Sequence, residues 1–350
     1  MFNPERLELA RKRRRLTAKS LAEKAGVAPV TVSRIVNRQQ TPDDATVAAL
    51  VAALGYPRQF FFQDDIDPID AGAASFRSLT GMSARERDAA LAAGSLAFEV
   101  MDWVTDRFTL PAADILDLGH ERDPKSAARM LRQYWSIGEK PIGNMIKLLE
   151  SKGVRVFSLA EDTKNVDAFS CWRNDEPFVF LNTFKSTERS RFDAAHELAH
   201  LVLHRHGGPS GREAETEANA FASAFLMPHA DLVSTIPYVS SLDQIVRAKK
   251  RWGVAAVALA YRLNKLGLMT EWQYIQANRR YRTSEPDGLP PERSTVWQMV
   301  LQELWRDGLS RGHIAEKLLL PEEELENLLF GLAGDTAPPA RGAPTLTAVK

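Results

Sequence analysis

The chain has 350 residues, 44% hydrophobic and 26% charged, with a formal net charge of zero. That length suits two or three domains better than a single core, and no run reaches the roughly 18 uninterrupted apolar residues of a membrane helix. The charged first fifteen residues have no apolar stretch behind them, which argues against a secretory signal, and one cysteine, Cys171, excludes an internal disulfide framework. A cytoplasmic protein is expected, with Cys171 acting as a small buried apolar residue.

The neutral total hides an asymmetry. Residues 1–40 hold ten cations (Arg6, Arg11, Lys12, Arg13, Arg14, Arg15, Lys19, Lys24, Arg34, Arg38) against Glu5, Glu8 and Glu23, an electrostatic footprint suited to a polyanion. Short helices are legible over Leu7 to Arg15, Ala18 to Ala25 and Val30 to Asn37. Gly26 stops the second, Pro29 opens the third, and after the turn Thr41 to Asp44 a fourth runs from Ala45 to Leu54. Leu21, Ala22 and Ala25 would line the inner face of one helix, and Val27, Val32, Ile35 and Val36 would anchor the next. Thr31, Ser33, Arg34, Asn37 and Arg38 are left facing outward. Arg34 is the candidate base reader; Thr31 and Lys19 are candidate phosphate contacts. The plain alternative is a helical bundle that binds protein. Residues 5–62 resemble the phage-repressor (Xre) helix-turn-helix, and the resemblance implies a homodimer on a palindromic operator in double-stranded DNA.

Residues 63–82 read as a connector. An alanine-rich helix from Ala84 to about Phe108 follows, expected to serve as a spacer or dimerisation arm. Two helices within 124–152 precede strand-like runs at Val154 to Ser158, Ala168 to Trp172 and Pro177 to Leu181. Strong helices are predicted at 187–206 and 212–227, with more helix to about 282. Ser284 to Pro291 reads as a linker, 294–333 as a small helical end piece, and 334–350 as a disordered tail.

The segment "RFDAAHELAHLVLHRH" carries the chemistry. His196 and His200, four apart, project from one helix face and are placed to bind one zinc ion, with Glu197 beside them as general base. A third ligand is needed. On the following helix Ala214, Ala218, Phe221, Ala222 and Phe225 mark the buried face. Glu215 lies nearest one edge, with Asn219 one turn on to orient its carboxylate, and Glu217 is the alternative. His204 also falls near the ligand face, where a supporting role is expected. An extended substrate is expected to pair with the sheet near Phe178 to Leu181.

The segment from about Pro141 to Leu268 resembles the ImmA/IrrE family of metallopeptidases, through "GVRVFSL", "PFVFLN", "RSRFDAAHELAHLVLH", "EANAFASAFLMP" and "WGVAAVALAYRLNKLGLM". The resemblance implies zinc on His196, His200 and Glu215, catalysis by Glu197, and a protein substrate, typically an Xre-type repressor. The expected fold is therefore mainly α with a small β-sheet (α+β). It comprises a helix-turn-helix domain (1–65), a helical connector (66–140), a zincin-like domain (141–283), the end piece and the tail. The expected function is a DNA-binding regulator with a zinc endopeptidase domain and no membrane association. Two alternatives stand beside it: a non-hydrolytic transcription factor whose zincin-like domain senses a metal or ligand, and a toxin-antitoxin or phage-associated component.

Overall fold

The computed structural model describes residues 1–69, 82–159, 168–206 and 211–334, together with the backbone of 75–76. The tail expected to be disordered lies, from residue 335 on, outside them. The N-terminal helices are α1 (Pro4–Arg13), α2 (Ala18–Ala25), α3 (Pro29–Val36) and α4 (Asp44–Leu54). Thr17 and Asp43 side chains accept from the first-turn amides of α2 and α4, and Gly26, at φ +67°, takes the left-handed conformation that turns α2 into α3. Leu21, Ala22, Val32, Ile35, Val47 and Leu50 are buried as one core, closed by Phe60 and Phe61.

A two-residue strand, β1 (Ser75–Phe76), precedes α5 (Ala84–Thr105). The structure corrects the expectation of a spacer or dimerisation arm. Every residue of α5 from Ala89 to Phe98 is buried within the chain, so little apolar surface is left for a partner. Arg6 on α1 grips Glu99 of α5 through its two terminal guanidinium nitrogens, tying the N-terminal unit to this helix. Gly94 permits the sheet to approach, since a Cβ there would lie 3.1 Å from the Phe169 ring.

After α6 (Pro124–Tyr134) and α7 (Met145–Ser151) come β2 (Arg155–Leu159), β3 (Ala168–Arg173) and β4 (Glu176–Asn182). The sheet order is β1-β3-β4-β2, with β4 parallel to β2 and antiparallel to β3, and β1 antiparallel to β3. Asn174 and Asp175, both at positive φ, make the tight β3–β4 turn. Phe157, Phe169, Phe178 and Phe180 stack with one another and fill the space around the sheet. Against it lies α8 (Thr187–Leu203), followed by α9 (Arg212–Leu226).

The chain continues through α10 (His229–Thr235), α11 (Leu242–Trp252), α12 (Ala256–Lys265), α13 (Glu271–Tyr281), α14 (Thr295–Arg306), α15 (Arg311–Leu318) and α16 (Glu322–Leu325). The segment read as a linker is pinned. Buried Lys249 bonds Glu188 and Glu285, each at 2.9 Å, and Glu292 accepts from the first amides of α7 while pairing with Arg191. The end piece is docked as well. Glu150 caps α14, Trp297 Nε1 donates to the Val156 carbonyl at 2.7 Å, and buried Glu324 joins the N-terminal unit. Its carboxylate accepts from Arg13 Nε at 2.8 Å and Tyr56 Oη at 3.0 Å, with Arg14 Nη1 at 3.3 Å. Among the described residues no helix is long and apolar enough to cross a membrane.

Candidate metal centre

Ser186 caps α8, and the 3.6-residue period then brings His196 and His200 to one face, one turn apart. Their Nε2 atoms are 3.1 Å from each other. From α9, Glu215 approaches with Oε2 3.3 Å from His196 Nε2 and Oε1 3.4 Å from His200 Nε2. These three form the cluster among the described residues with the ligand types and spacing for a metal ion. A tetrahedral ion with bonds of about 2.0–2.1 Å has donor–donor edges of about 3.3–3.4 Å, so two imidazoles and a carboxylate at these separations suit zinc. Burial pushes His200 down to about 4. Burial opposes ionisation of Glu215, yet its close approach to His196 and His200 outweighs it and holds the carboxyl at about 2. At neutral pH the cluster therefore presents a neutral His200 and an anionic Glu215, the states in which both donate to a cation.

Beyond His200 the hydrogen bonds run outward in series. His200 Nδ1 faces His204 Nδ1 at 2.9 Å, and His204 Nε2 faces Glu217 Oε2 at 3.0 Å. A carboxylate only accepts, so Glu217 takes an Nε2–H from His204. With His204 in a neutral form, its Nδ1 accepts from His200 Nδ1–H, the tautomer that turns the His200 Nε2 lone pair toward the cluster. The sequence alternative Glu217 thus holds His204, and Glu215 stands at the cluster.

Glu197 is fully buried beside His196, and Ser170 Oγ on β3 donates to its Oε2 at 2.8 Å. Sequence reasoning missed Ser170, because only strand register places a lone serine against α8. Cys171, next to it, is buried, and burial pushes its thiol up to about 12, as a small packing residue requires. Two expectations are corrected. Asn219 Nδ2 donates to the Glu215 backbone carbonyl at 2.7 Å, a bond along its own helix, and does not touch the carboxylate. Phe178 to Leu181 lie on a central strand, hydrogen-bonded on both sides, while the outer edge of β3 pairs with β1.

On the N-terminal unit, Lys19 is exposed on α2, while Ser33, Arg34, Asn37 and Arg38 are exposed and Thr31 is half-buried on α3 or just past its end. Arg34 makes no hydrogen bond or ion pair among the described residues, whereas Arg38 lies 3.3 Å from Glu5 and Lys19 3.9 Å from Glu23. The basic run before α2 is partly used internally. Arg11 bonds Glu8, and Arg13 and Arg14 bond Glu324, so the cationic surface is smaller than composition suggests.

Residues 149–264 match the model of the peptidase M78 family, described as the IrrE N-terminal-like domain, and residues 7–61 match a helix-turn-helix model. The chain carries both modules. They fall in the order, and close to the limits, that the sequence resemblances imply. A DNA-binding unit is thus joined to a metallopeptidase-type domain in a mainly α fold with a small sheet. No curated protein matches the chain as a relative.

Proposed function

We propose that this protein is a transcriptional regulator that binds operator DNA through α3 and hydrolyses a protein, an Xre-type repressor, at a zinc centre held by His196, His200 and Glu215. The observation that supports the reading is the set of 3.1, 3.3 and 3.4 Å separations among the three donors, with the side chain of Glu197 beside them. When bound, zinc supplies a Lewis acid that polarises the scissile carbonyl. Glu197 takes a proton from the attacking water at Oε1 and delivers it to the leaving amine, while Ser170 holds Oε2 in place. Glu217 and His204 keep the His200 Nε2 lone pair on the metal side. On the DNA side, Arg34 reads a base edge, Lys19 and Thr31 meet phosphate, and Ser33, Asn37 and Arg38 flank them. A homodimer would present two such helices to a palindromic site.

The test incubates zinc-loaded protein with candidate repressors beside Glu197→Gln, read by mass spectrometry. Cleavage by the unmodified chain and none by the variant is expected; equal processing by both sinks the hydrolytic assignment. One observation favours a second reading, a non-hydrolytic regulator whose zinc centre senses its metal or a ligand. His196 and Glu197 are 0% exposed. A substrate carbonyl would have to approach past the partly exposed Glu215. Zinc-dependent operator binding with no cleaved product would select that reading.

A further inference from the structure

Away from the metal cluster, a cavity of about 340 Å³ opens between α6, the start of α10 and α12. Four cations line it, Lys125, Arg129, Arg132 and Arg262, against two acids, Asp123 and Glu139. The oxygens of Asp123 are already committed to the start of α6, accepting from the Lys125 and Ser126 amides and from Ser126 Oγ.

Arg262 is the unusual group. Five arginines are buried in the described residues: Arg6, Arg132, Arg155, Arg191 and Arg262. Arg6, Arg155 and Arg191 pair with Glu99, Glu176 and Glu292, and Arg132 donates to the backbone carbonyls of Gly138, Lys140 and Phe225. Arg262 is 6% exposed, its Nε is enclosed without a partner, and it makes no hydrogen bond or ion pair among the described residues. Burial alone lowers its pKa, with no acid acting against it. A largely buried guanidinium without a counter-charge is costly, and when its unpartnered N–H groups face a cavity it is a receptor for an anion. The lining also includes the apolar side chains of Ala224, Pro228 and Leu266, with His229 and Ala230 beside them.

We propose that this cavity binds a small organic oxyanion, a carboxylate or a phosphate ester, whose charged end pairs with Arg262 and whose apolar body lies on Ala224, Pro228 and Leu266. Lys125 and Arg129 at the rim supply the attraction that draws an anion in. Because Ala224 belongs to α9, an occupant rests on the helix that also carries Glu215.

The experiment uses the full chain and three probes: hexanoate, inorganic phosphate and uncharged 1-hexanol. Binding is read by titration calorimetry and by the shift of the unfolding midpoint. The proposal expects hexanoate or phosphate to bind and stabilise, hexanol to do neither, and Arg262→Met to weaken the anion roughly tenfold or more. Hexanoate binding identifies a carboxylate, and phosphate binding a phosphoryl group. Arg262→Met removes a buried unpaired charge, so its ligand-free midpoint is expected to hold or rise. If that variant fails to fold, Ala230→Trp, at an exposed position on the cavity wall, replaces it and is expected to block the anion. No binding by either anion, or undiminished binding in the folded variants, overturns the proposal.

Discussion

Removal of His204 tests whether the metal-binding state of His200 is set from outside the cluster. In the structure Glu217 Oε2 lies 3.0 Å from His204 Nε2 and His204 Nδ1 lies 2.9 Å from His200 Nδ1, so a neutral His204 donates to the carboxylate and accepts from His200. His204→Ala deletes that acceptor. His200 is then free to place its proton on Nε2, where it opposes metal binding, and its ring loses an anchor. Loss of such an outer partner costs about 10- to 100-fold in metal affinity, or about 1.4–2.7 kcal/mol. Glu217→Ala is expected to act in the same direction. Glu217→Gln keeps an oxygen that accepts from His204 Nε2 and is expected to retain most of the affinity. Competition against a chromophoric chelator measures zinc affinity, and long-range ¹H–¹⁵N spectra of the metal-free protein read the His200 tautomer directly. Zinc affinity of His204→Ala within about threefold of the unmodified chain, with the Nδ1–H form intact, would refute the reasoning.

Three further outcomes are expected. Ser170→Ala, which removes the 2.8 Å bond to Glu197 Oε2, should cut hydrolysis by about 10- to 100-fold and leave zinc content unchanged; unaltered turnover would show that Glu197 needs no such support. Glu324→Ala removes the carboxylate that accepts from Arg13 and leaves the buried Tyr56 hydroxyl without it, so the loss should be about 1–3 kcal/mol in urea unfolding. A change under about 1 kcal/mol would mean that this contact does not hold the end piece on the N-terminal unit. Arg34→Ala should weaken operator binding by about 1–3 kcal/mol in a mobility-shift titration, and unchanged affinity would remove Arg34 from the interface.

How much of this was legible in the sequence depended on the range of the signal. The N-terminal helices followed from local chemistry: Thr17 and Asp43 at caps, Gly26 at the left-handed turn, and apolar residues spaced by one turn. The pairing of His196 with His200 is equally local, and Glu215 emerged because helical phase separates it from Glu213 and Glu217. A signal for α5 was present and misread. The run "AALAAGSLAF" is apolar or small on all sides, which marks a buried helix rather than an arm. Other features had no local signature. Glu324 finds Arg13 and Tyr56 across 311 and 268 positions. Lys249 finds Glu188 across 61. Ser170 reaches Glu197 only because strand register and helix docking bring them together, and β4 is central because this strand, the last in sequence, pairs with β3 on one side and with β2 on the other. Asn219 failed as a carboxylate partner for a backbone reason, since a side-chain amide on a helix easily reaches the carbonyl one turn back.

Metal analysis of purified variants by inductively coupled plasma mass spectrometry bears most immediately on the proposed centre. About one zinc per chain is expected for the unmodified protein and for Glu197→Gln, with loss of the metal in His196→Ala, His200→Ala and Glu215→Ala. A folded Glu215→Ala that keeps its zinc, or an unmodified chain that takes up none when zinc is supplied, would contradict the assignment of these three side chains as the ligands.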